Sequence, residues 1–297
     1  MGYPVCILTA PMNDSLHITL SDGRRLSYCE VGAPEGRPVL HCHGGLSCRT
    51  EVLFADELCR EVGVRLIVPD RPGIGQSDFS RRQQLVDWTQ DMEALVGALD
   101  IGDFAVMGWS AGGPYALACA AQLSNRVTRV ATLAGMAPLR GARDIRELGL
   151  WGDRVLFSLS PSLPHVAGAL LSITRLCPRR VLAYLVFQAA AAAGSWDATY
   201  LEDHETGALA DTYRESLLQG GYGTAWDYRL LAKNWGFALE SVTPKVHVWH
   251  GAKDKFLLPS HGERLAAALP HARLHPVAEH GHFLLQRCLR DVLAVLI

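Results

Sequence analysis

No Cys-x-x-Cys pair occurs in this sequence, although it holds 8 cysteines. Cys6, Cys29, Cys42, Cys48, Cys59, Cys119, Cys177 and Cys288 are scattered, several of them inside apolar runs. That spacing speaks against a disulfide framework and for reduced, buried thiols in a cytoplasmic protein. An excess of one charge is lacking too. The 28 Lys and Arg against 30 Asp and Glu leave a formal net charge of −2. So balanced a chain has no electrostatic footprint for nucleic acid or for an anionic membrane. The longest apolar run, residues 181–193, is too short to cross a bilayer and follows Arg179-Arg180, so no stable membrane insertion is expected. Residues 1–11 lack a basic stretch followed by a long apolar one, so no secretory signal is expected. Cys6 stands where a myristoylation motif needs Ser or Thr. Internal repeats and low-complexity linkers are missing, apart from the short alanine-rich stretch 189–193.

What remains is a foldable chain. Its 297 residues are 49% hydrophobic and 20% charged, enough for one large domain with an inserted subdomain or for two small ones.

The stretch richest in chemical meaning is Gly108-Trp109-Ser110-Ala111-Gly112, a G-x-S-x-G pentapeptide. A β-type run (Phe104, Ala105, Val106, Met107) precedes it and a helix-forming run (residues 115–121) follows. A serine on such a sharp strand-to-helix turn sits in strained backbone and lifts its hydroxyl above the sheet. The neighbouring positions must be small, which Gly108, Gly112 and Gly113 satisfy.

A nucleophile needs a base, an acid that orients the base, and donors for the oxyanion. The base is expected to be His282, in Glu279-His280-Gly281-His282-Phe283, after a short strand at 272–277 and before an apolar C-terminal helix at 283–297. His280 is its local rival. The acid is expected to be Asp254, at the tip of the turn that follows strand 246–249, with Glu279 and Asp144 as alternatives. The oxyanion donors are expected to be the backbone amides of Ala111 and of Gly45, with Leu46 as the substitute for Gly45. Gly45 belongs to His43-Gly44-Gly45, directly after strand 38–42. His41-x-His43 and His280-x-His282 have the look of metal-ligand pairs, but no third ligand cluster of the zinc-hydrolase kind matches them, and no metal site is expected.

Along the chain, β-type and helical runs alternate. Strands are read at 16–20 and 26–31 around Asp22-Gly23, then at 39–42, 64–68, 104–107, 127–133, 246–249 and 272–277. Helices are read at 51–62 and at 84–100, where Leu85, Trp88, Met92, Leu95, Val96 and Leu99 share one face. This rhythm predicts a mostly parallel eight-stranded sheet with helices on both faces and an antiparallel hairpin at its start. From 138 to about 241 the rhythm breaks into helical patterns alone. This stretch is strongly apolar through Leu156, Leu159, Leu163, Leu170, Leu171, Ile173, Leu176, Leu182, Leu185, Val186 and Phe187. Trp226, Tyr228 and Trp235 are candidates both for a pocket wall and for simple core.

Taken together, His43-Gly44-Gly45, the run from Asp70-Arg71-Pro72-Gly73 to Ser77, residues 108–113, Trp249-His250-Gly251 with Asp254, and Gly281-His282-Phe283 resemble the α/β-hydrolase fold. The resemblance is to its lid-bearing, esterase- and lipase-like serine hydrolases. It implies a core of residues 1–137 and 242–297 and an all-helical lid at 138–241, inserted between strands six and seven. It also implies a cofactor-free Ser110–His282–Asp254 triad and a structural role for Asp70. Haloalkane dehalogenases and epoxide hydrolases of this fold carry aspartate at the elbow, where this chain has Ser110. Proline iminopeptidases carry proline after the Gly-Gly, where this chain has Leu46. The activity implied is hydrolysis of an ester or related acyl bond in a small hydrophobic substrate. Carbon–carbon hydrolase, thioesterase, lactonase and perhydrolase chemistry, and a weakly catalytic ligand sensor, remain open on the same scaffold.

Overall fold

A computed structural model describes residues 15–193, 197, 201 and 205–297. Cys6 and the reading of residues 1–11 lie outside these described residues, as does part of the 138–241 segment.

The sheet has eight strands in the order β1-β2-β4-β3-β5-β6-β7-β8. They are β1 (Leu16–Thr19), β2 (Arg25–Gly32), β3 (Arg37–Cys42), β4 (Val64–Pro69), β5 (Phe104–Trp109), β6 (Val127–Leu133), β7 (Lys245–Gly251) and β8 (Ala272–Val277). β1 and β2 form the expected antiparallel hairpin, and β2 also runs antiparallel to β4. From β4 to β8 every pairing is parallel.

Parallel strands need covering on both faces, and the residues divide accordingly. Leu40, Ile67 and Val106 face a core shared with α2 (Trp88–Ala98) and α3 (Gly113–Gln122). Their neighbours Val39, Leu66, Val68, Ala105 and Met107 face a second core. That core is closed by α1 (Asp56–Glu61) and a C-terminal helix (Leu285–Leu296). The alternation is the period of two that a strand imposes. The C-terminal helix buries Leu285, Leu289, Val292, Leu293 and Leu296 along one stripe, each contributing roughly 1.5–3 kcal/mol when removed from water.

Two helices differ from their sequence reading. The one expected at 51–62 is a 3-10 segment (Arg49–Ala55) followed by α1, because the Arg49 amide and guanidinium are both tied to Asp70. The one expected at 84–100 starts as a 3-10 turn (Leu85–Asp87) and becomes α2. The Asp87 carboxylate accepts the amides of Gln83 and Gln84, which fixes that start.

Between β6 and β7 the described residues form α4 (Ala142–Glu147), α5 (Trp151–Leu159), α6 (Pro164–Thr174), α7 (Arg179–Ala193), α8 (Glu205–Ser216) and α9 (Tyr222–Leu231). α10 (Ser260–Ala268) follows β7, and the C-terminal helix is α11. Of the apolar residues of this region, Leu156, Leu171 and Leu182 are buried, whereas Leu163, Leu170, Ile173, Leu176 and Leu185 stand exposed. No helix among the described residues is long and apolar enough to cross a membrane. The seven described cysteines are all free, and six of them are buried.

Parallel register brings the strand ends together. Cys42 pairs with Gly108, Trp109 with Leu133, Leu133 with Trp249, and Gly251 with Val277. The loops after β3, β5, β7 and β8 therefore open at one edge, the carboxyl edge where ligands of such sheets bind.

Candidate active site

Ser110 is held in the left-handed region, at φ +54, between extended Trp109 and the 3-10 turn Ser110–Gly112 that enters α3. For a residue with a side chain this conformation costs about 1–3 kcal/mol, and the surroundings must enforce it. They do so by close approach. A Cβ on Gly112 would lie 1.9 Å from the Cys42 carbonyl oxygen, and one on Gly108 would lie 2.3 Å from the Gly112 oxygen. Strand, loop and helix thus pass too near for any side chain, and the serine is left half-exposed at the turn's apex.

His282 Nε2 lies 2.9 Å from Ser110 Oγ, and His282 Nδ1 lies 2.9 Å from Asp254 Oδ2. An ionised carboxylate only accepts, so Nδ1 carries the proton and Nε2 is free to accept from the serine hydroxyl. Asp254 is itself well held. Its Oδ1 accepts the amides of Phe256 at 2.8 Å and Leu257 at 3.0 Å, and His250 Nε2 is 3.3 Å from its Oδ2. Burial alone would raise its pKa, but the facing His282 and the side-chain hydrogen bonds of His250 and His282 bring it down to about 2. Burial likewise pulls His282 down, and the adjoining Asp254 charge and hydrogen bond outweigh it, so its pKa stands above the ordinary histidine value. Phe256 stacks on the imidazole at 5.1 Å between ring centres, and Trp109 lies 5.5 Å away.

The structure brings the rivals to other places. Neither ring nitrogen of His280 hydrogen-bonds Ser110, and its buried Nδ1 meets no partner among the described residues. Asp144 pairs with Arg264 at 2.8 Å. His41 Nε2 lies 2.7 Å from Glu51 Oε1, and His43 Nε2 accepts the Arg71 amide at 3.3 Å.

Gly45 and Ala111 are brought side by side, since a Cβ built on Gly45 would be 3.4 Å from that of Ala111. The loop carrying Gly45 is clamped from both sides. The Gly44 amide donates to Glu51 Oε2 at 2.9 Å, and the Gly44 carbonyl accepts Arg71 Nη2 at 2.9 Å. In a planar trans peptide the N–H of Gly45 points opposite to that carbonyl, so the Arg71 contact fixes where it aims. That N–H meets no acceptor among the described residues.

Four features escaped the sequence reading. Arg71, read only as part of a turn, also donates to the His43 carbonyl and to both Asp227 oxygens, at 3.1 and 2.9 Å. Tyr115 bonds the same carboxylate. Asp227 lies 156 residues from Arg71, and no local pattern links the two. Asp197 accepts the amides of His282 at 2.7 Å and Phe283 at 3.1 Å through one oxygen. It pins the histidine loop and leaves Phe283 outside α11, which was expected to begin there. Glu51 joins His41 to the loop that carries Gly45, as above. Of the three flagged aromatics, Trp226 donates to the Arg82 carbonyl and Trp235 to Leu231 in its own chain turn. Tyr228 alone reaches the site, with its hydroxyl 3.2 Å from a Cβ built on Gly45 and 2.6 Å from Asp153 Oδ1.

Comparison with known proteins agrees with this architecture. Residues 37–285 match the family model described as alpha/beta hydrolase fold. A haloalkane dehalogenase of Psychrobacter cryohalolentis is 31% identical over 170 residues, 54% of this chain and 54% of the dehalogenase. The chain thus spans about half the length of that relative. A 2-hydroxy-6-oxo-6-phenylhexa-2,4-dienoate hydrolase of Comamonas testosteroni is 26% identical over 270 residues, covering 87% of this chain and 85% of that one. Among solved structures, the enol-lactonase from Burkholderia xenovorans LB400 superposes with a TM-score of 0.69 at 16% identity, covering 95% of this chain and 99% of the other.

Proposed function

The chain belongs to the α/β-hydrolase family, and from that premise we propose that it is a serine hydrolase cleaving an ester or related acyl bond of a small, largely hydrophobic substrate. The observation that carries the reading is the continuous chain of contacts from Ser110 through His282 to Asp254, at 2.9 Å in each link.

In this reading Ser110 Oγ attacks the scissile carbonyl while His282 Nε2 takes its proton. Asp254 holds the imidazole in the tautomer with Nδ1 protonated and stabilises the imidazolium. The amides of Gly45 and Ala111 receive the charge that develops on the carbonyl oxygen. His282 returns the proton to the leaving alcohol, and water then hydrolyses the acyl-enzyme through the same groups. The chemistry calls for no cofactor. The helices between β6 and β7, within residues 138–241, act as a lid over the core of residues 1–137 and 242–297. They exclude bulk water from the reacting carbonyl.

Cleavage of a carbon–carbon bond next to a carbonyl is the second reading. It is favoured by the relative named a 2-hydroxy-6-oxo-6-phenylhexa-2,4-dienoate hydrolase, whose match runs over 87% of this chain. The dehalogenase relative is a weaker guide, because Ser110 stands at the position where an aspartate nucleophile would be required.

Turnover of p-nitrophenyl esters of rising acyl length, by wild type, Ser110→Ala and His282→Ala, tests the reading. Loss of turnover by several orders of magnitude in both variants is expected. An intact rate in either variant, or no ester turnover by the wild type, overturns ester hydrolysis by this triad.

A further inference from the structure

Beside the two candidate oxyanion amides stands a polar pair that the hydrolytic scheme leaves unused. Tyr228 on α9 and Asp153 on α5 meet at 2.6 Å, so the phenol and the carboxylate come from two different helices of the β6–β7 insertion. Tyr228 is nearly inaccessible and is fixed from one side by the Phe157 ring, 4.7 Å away between centres. Its hydroxyl lies 3.2 Å from a Cβ built on Gly45, which is itself 3.4 Å from the Ala111 Cβ. The phenolic oxygen therefore borders the space into which a substrate carbonyl would be drawn.

The direction of the bond decides what this pair can recognise. Burial, then the Asp153 charge, pushes the Tyr228 pKa well above its ordinary value, so the phenol keeps its proton and donates it to Asp153 Oδ1. The lone pairs of the Tyr228 oxygen are then left as acceptors. Asp153 Oδ2 takes no hydrogen bond among the described residues and is left as a second acceptor; burial raises the Asp153 pKa, against the Tyr228 hydrogen bond and the His282 charge that lower it. The Asp153 charge also acts on His282, which places the carboxylate within electrostatic reach of the reacting groups. Two acceptors and no free donor beside a carbonyl site attract a group with a hydrogen to give, and repel an anion.

Resting on the acyl-hydrolase reading, we propose that Tyr228 and Asp153 form an acyl-side subsite for a hydrogen-bond donor, a hydroxyl or protonated amine, on the first or second carbon from the scissile carbonyl. Acyl groups bearing a carboxylate there are rejected by the same two acceptors. This pair selects the substituent that the acyl group carries.

The test compares p-nitrophenyl esters of butyrate, 3-hydroxybutyrate, 3-aminobutyrate and succinate for wild type, Asp153→Asn and Tyr228→Phe. Both substitutions keep the side-chain shape, and melting curves confirm folded variants. Wild type is expected to prefer the hydroxy or the amino ester over butyrate by about tenfold or more in kcat/KM, the two arms telling which donor is used. The ratio falls toward one in both variants. In Asp153→Asn, whose amide can donate, the succinate ester gains relative to butyrate. A ratio near one in wild type, or one unchanged in both variants, overturns the subsite. If no ester is turned over, the acyl-hydrolase reading fails, and calorimetry on Ser110→Ala decides the subsite separately. Tighter binding of 3-hydroxybutyramide or 3-aminobutyramide than of butyramide, lost with the added Asp153→Asn, upholds it. Equal binding of all three overturns it.

Discussion

Arg71 grips Asp227 through Nε at 3.1 Å and Nη2 at 2.9 Å, and with its remaining reach it holds the carbonyls of His43 and Gly44. One guanidinium thus ties a helix of the β6–β7 insertion to the loop that carries Gly45. Both partners are almost fully buried, with side-chain exposures of 2% and 5%. Removing one member of such a pair leaves the other charge uncompensated, which typically costs about 3–5 kcal/mol.

Arg71→Met is therefore expected to lower both stability and kcat, by several degrees in melting temperature and at least about tenfold in rate, since the Gly45 amide loses its aim. Arg71→Lys keeps the charge but not the fork, and should recover stability more than rate. Melting curves and ester kinetics on the two variants check this. A kcat equal to wild type in Arg71→Met would mean that the loop holds itself.

The pH dependence follows from His282. In the proposed mechanism its neutral form accepts the serine proton, and its pKa in the folded state is raised. The acid limb of kcat/KM should accordingly lie above the ordinary histidine value. The stability linked to His282 runs the other way: present at low pH, it fades as pH rises through the folded-state pKa. Asp254→Asn removes the facing charge, so the limb should move to lower pH while kcat drops by about four orders of magnitude. A pH–rate profile of both proteins reads out each effect.

Strain at Ser110 gives an opposite pairing of stability and activity. Glycine adopts φ +54 without penalty, so Ser110→Gly should abolish turnover yet raise stability by about 1 kcal/mol. Differential scanning calorimetry would detect this as a melting point higher by a few degrees at most.

Asp197 holds the histidine loop through the His282 and Phe283 amides, and its charge helps to raise the His282 pKa. Asp197→Ala strands two amide donors, and the histidine loop should loosen, lowering kcat about tenfold with little change in KM. Asp197→Asn retains an acceptor and should restore most of the rate. Steady-state kinetics distinguish the two outcomes.

The sheet, and the Ser110, His282 and Asp254 that the structure brings together, were legible because their signals are local. Ser110 announces itself through a pentapeptide flanked by strand and helix, and Asp254 and His282 each follow a short apolar strand. What stayed hidden depends on distance in sequence. Nothing near Arg71 points to Asp227, nothing near Asp197 points to the His282 amide, and the Tyr228–Asp153 bond joins two helices of a stretch read only as helical. Boundaries also shifted where a side chain intervened, as at Arg49 with Asp70 and at Asp87 with the amides of Gln83 and Gln84.

Ser110 and His282 stand 172 residues apart, with every helix of the β6–β7 insertion between them. In the triad proposed above, the nucleophile emerges from the ribosome long before its base. A nascent or refolding chain with β1 to β6 in place already owns a strained serine, yet that serine is inert until β7 and β8 dock on the growing edge. Loop closure over such a span is slow compared with helix or hairpin formation. Under the proposed activity, hydrolysis is therefore a clock for the last step of assembly, and the delay keeps the Ser110 hydroxyl silent while the rest of the chain is still exposed.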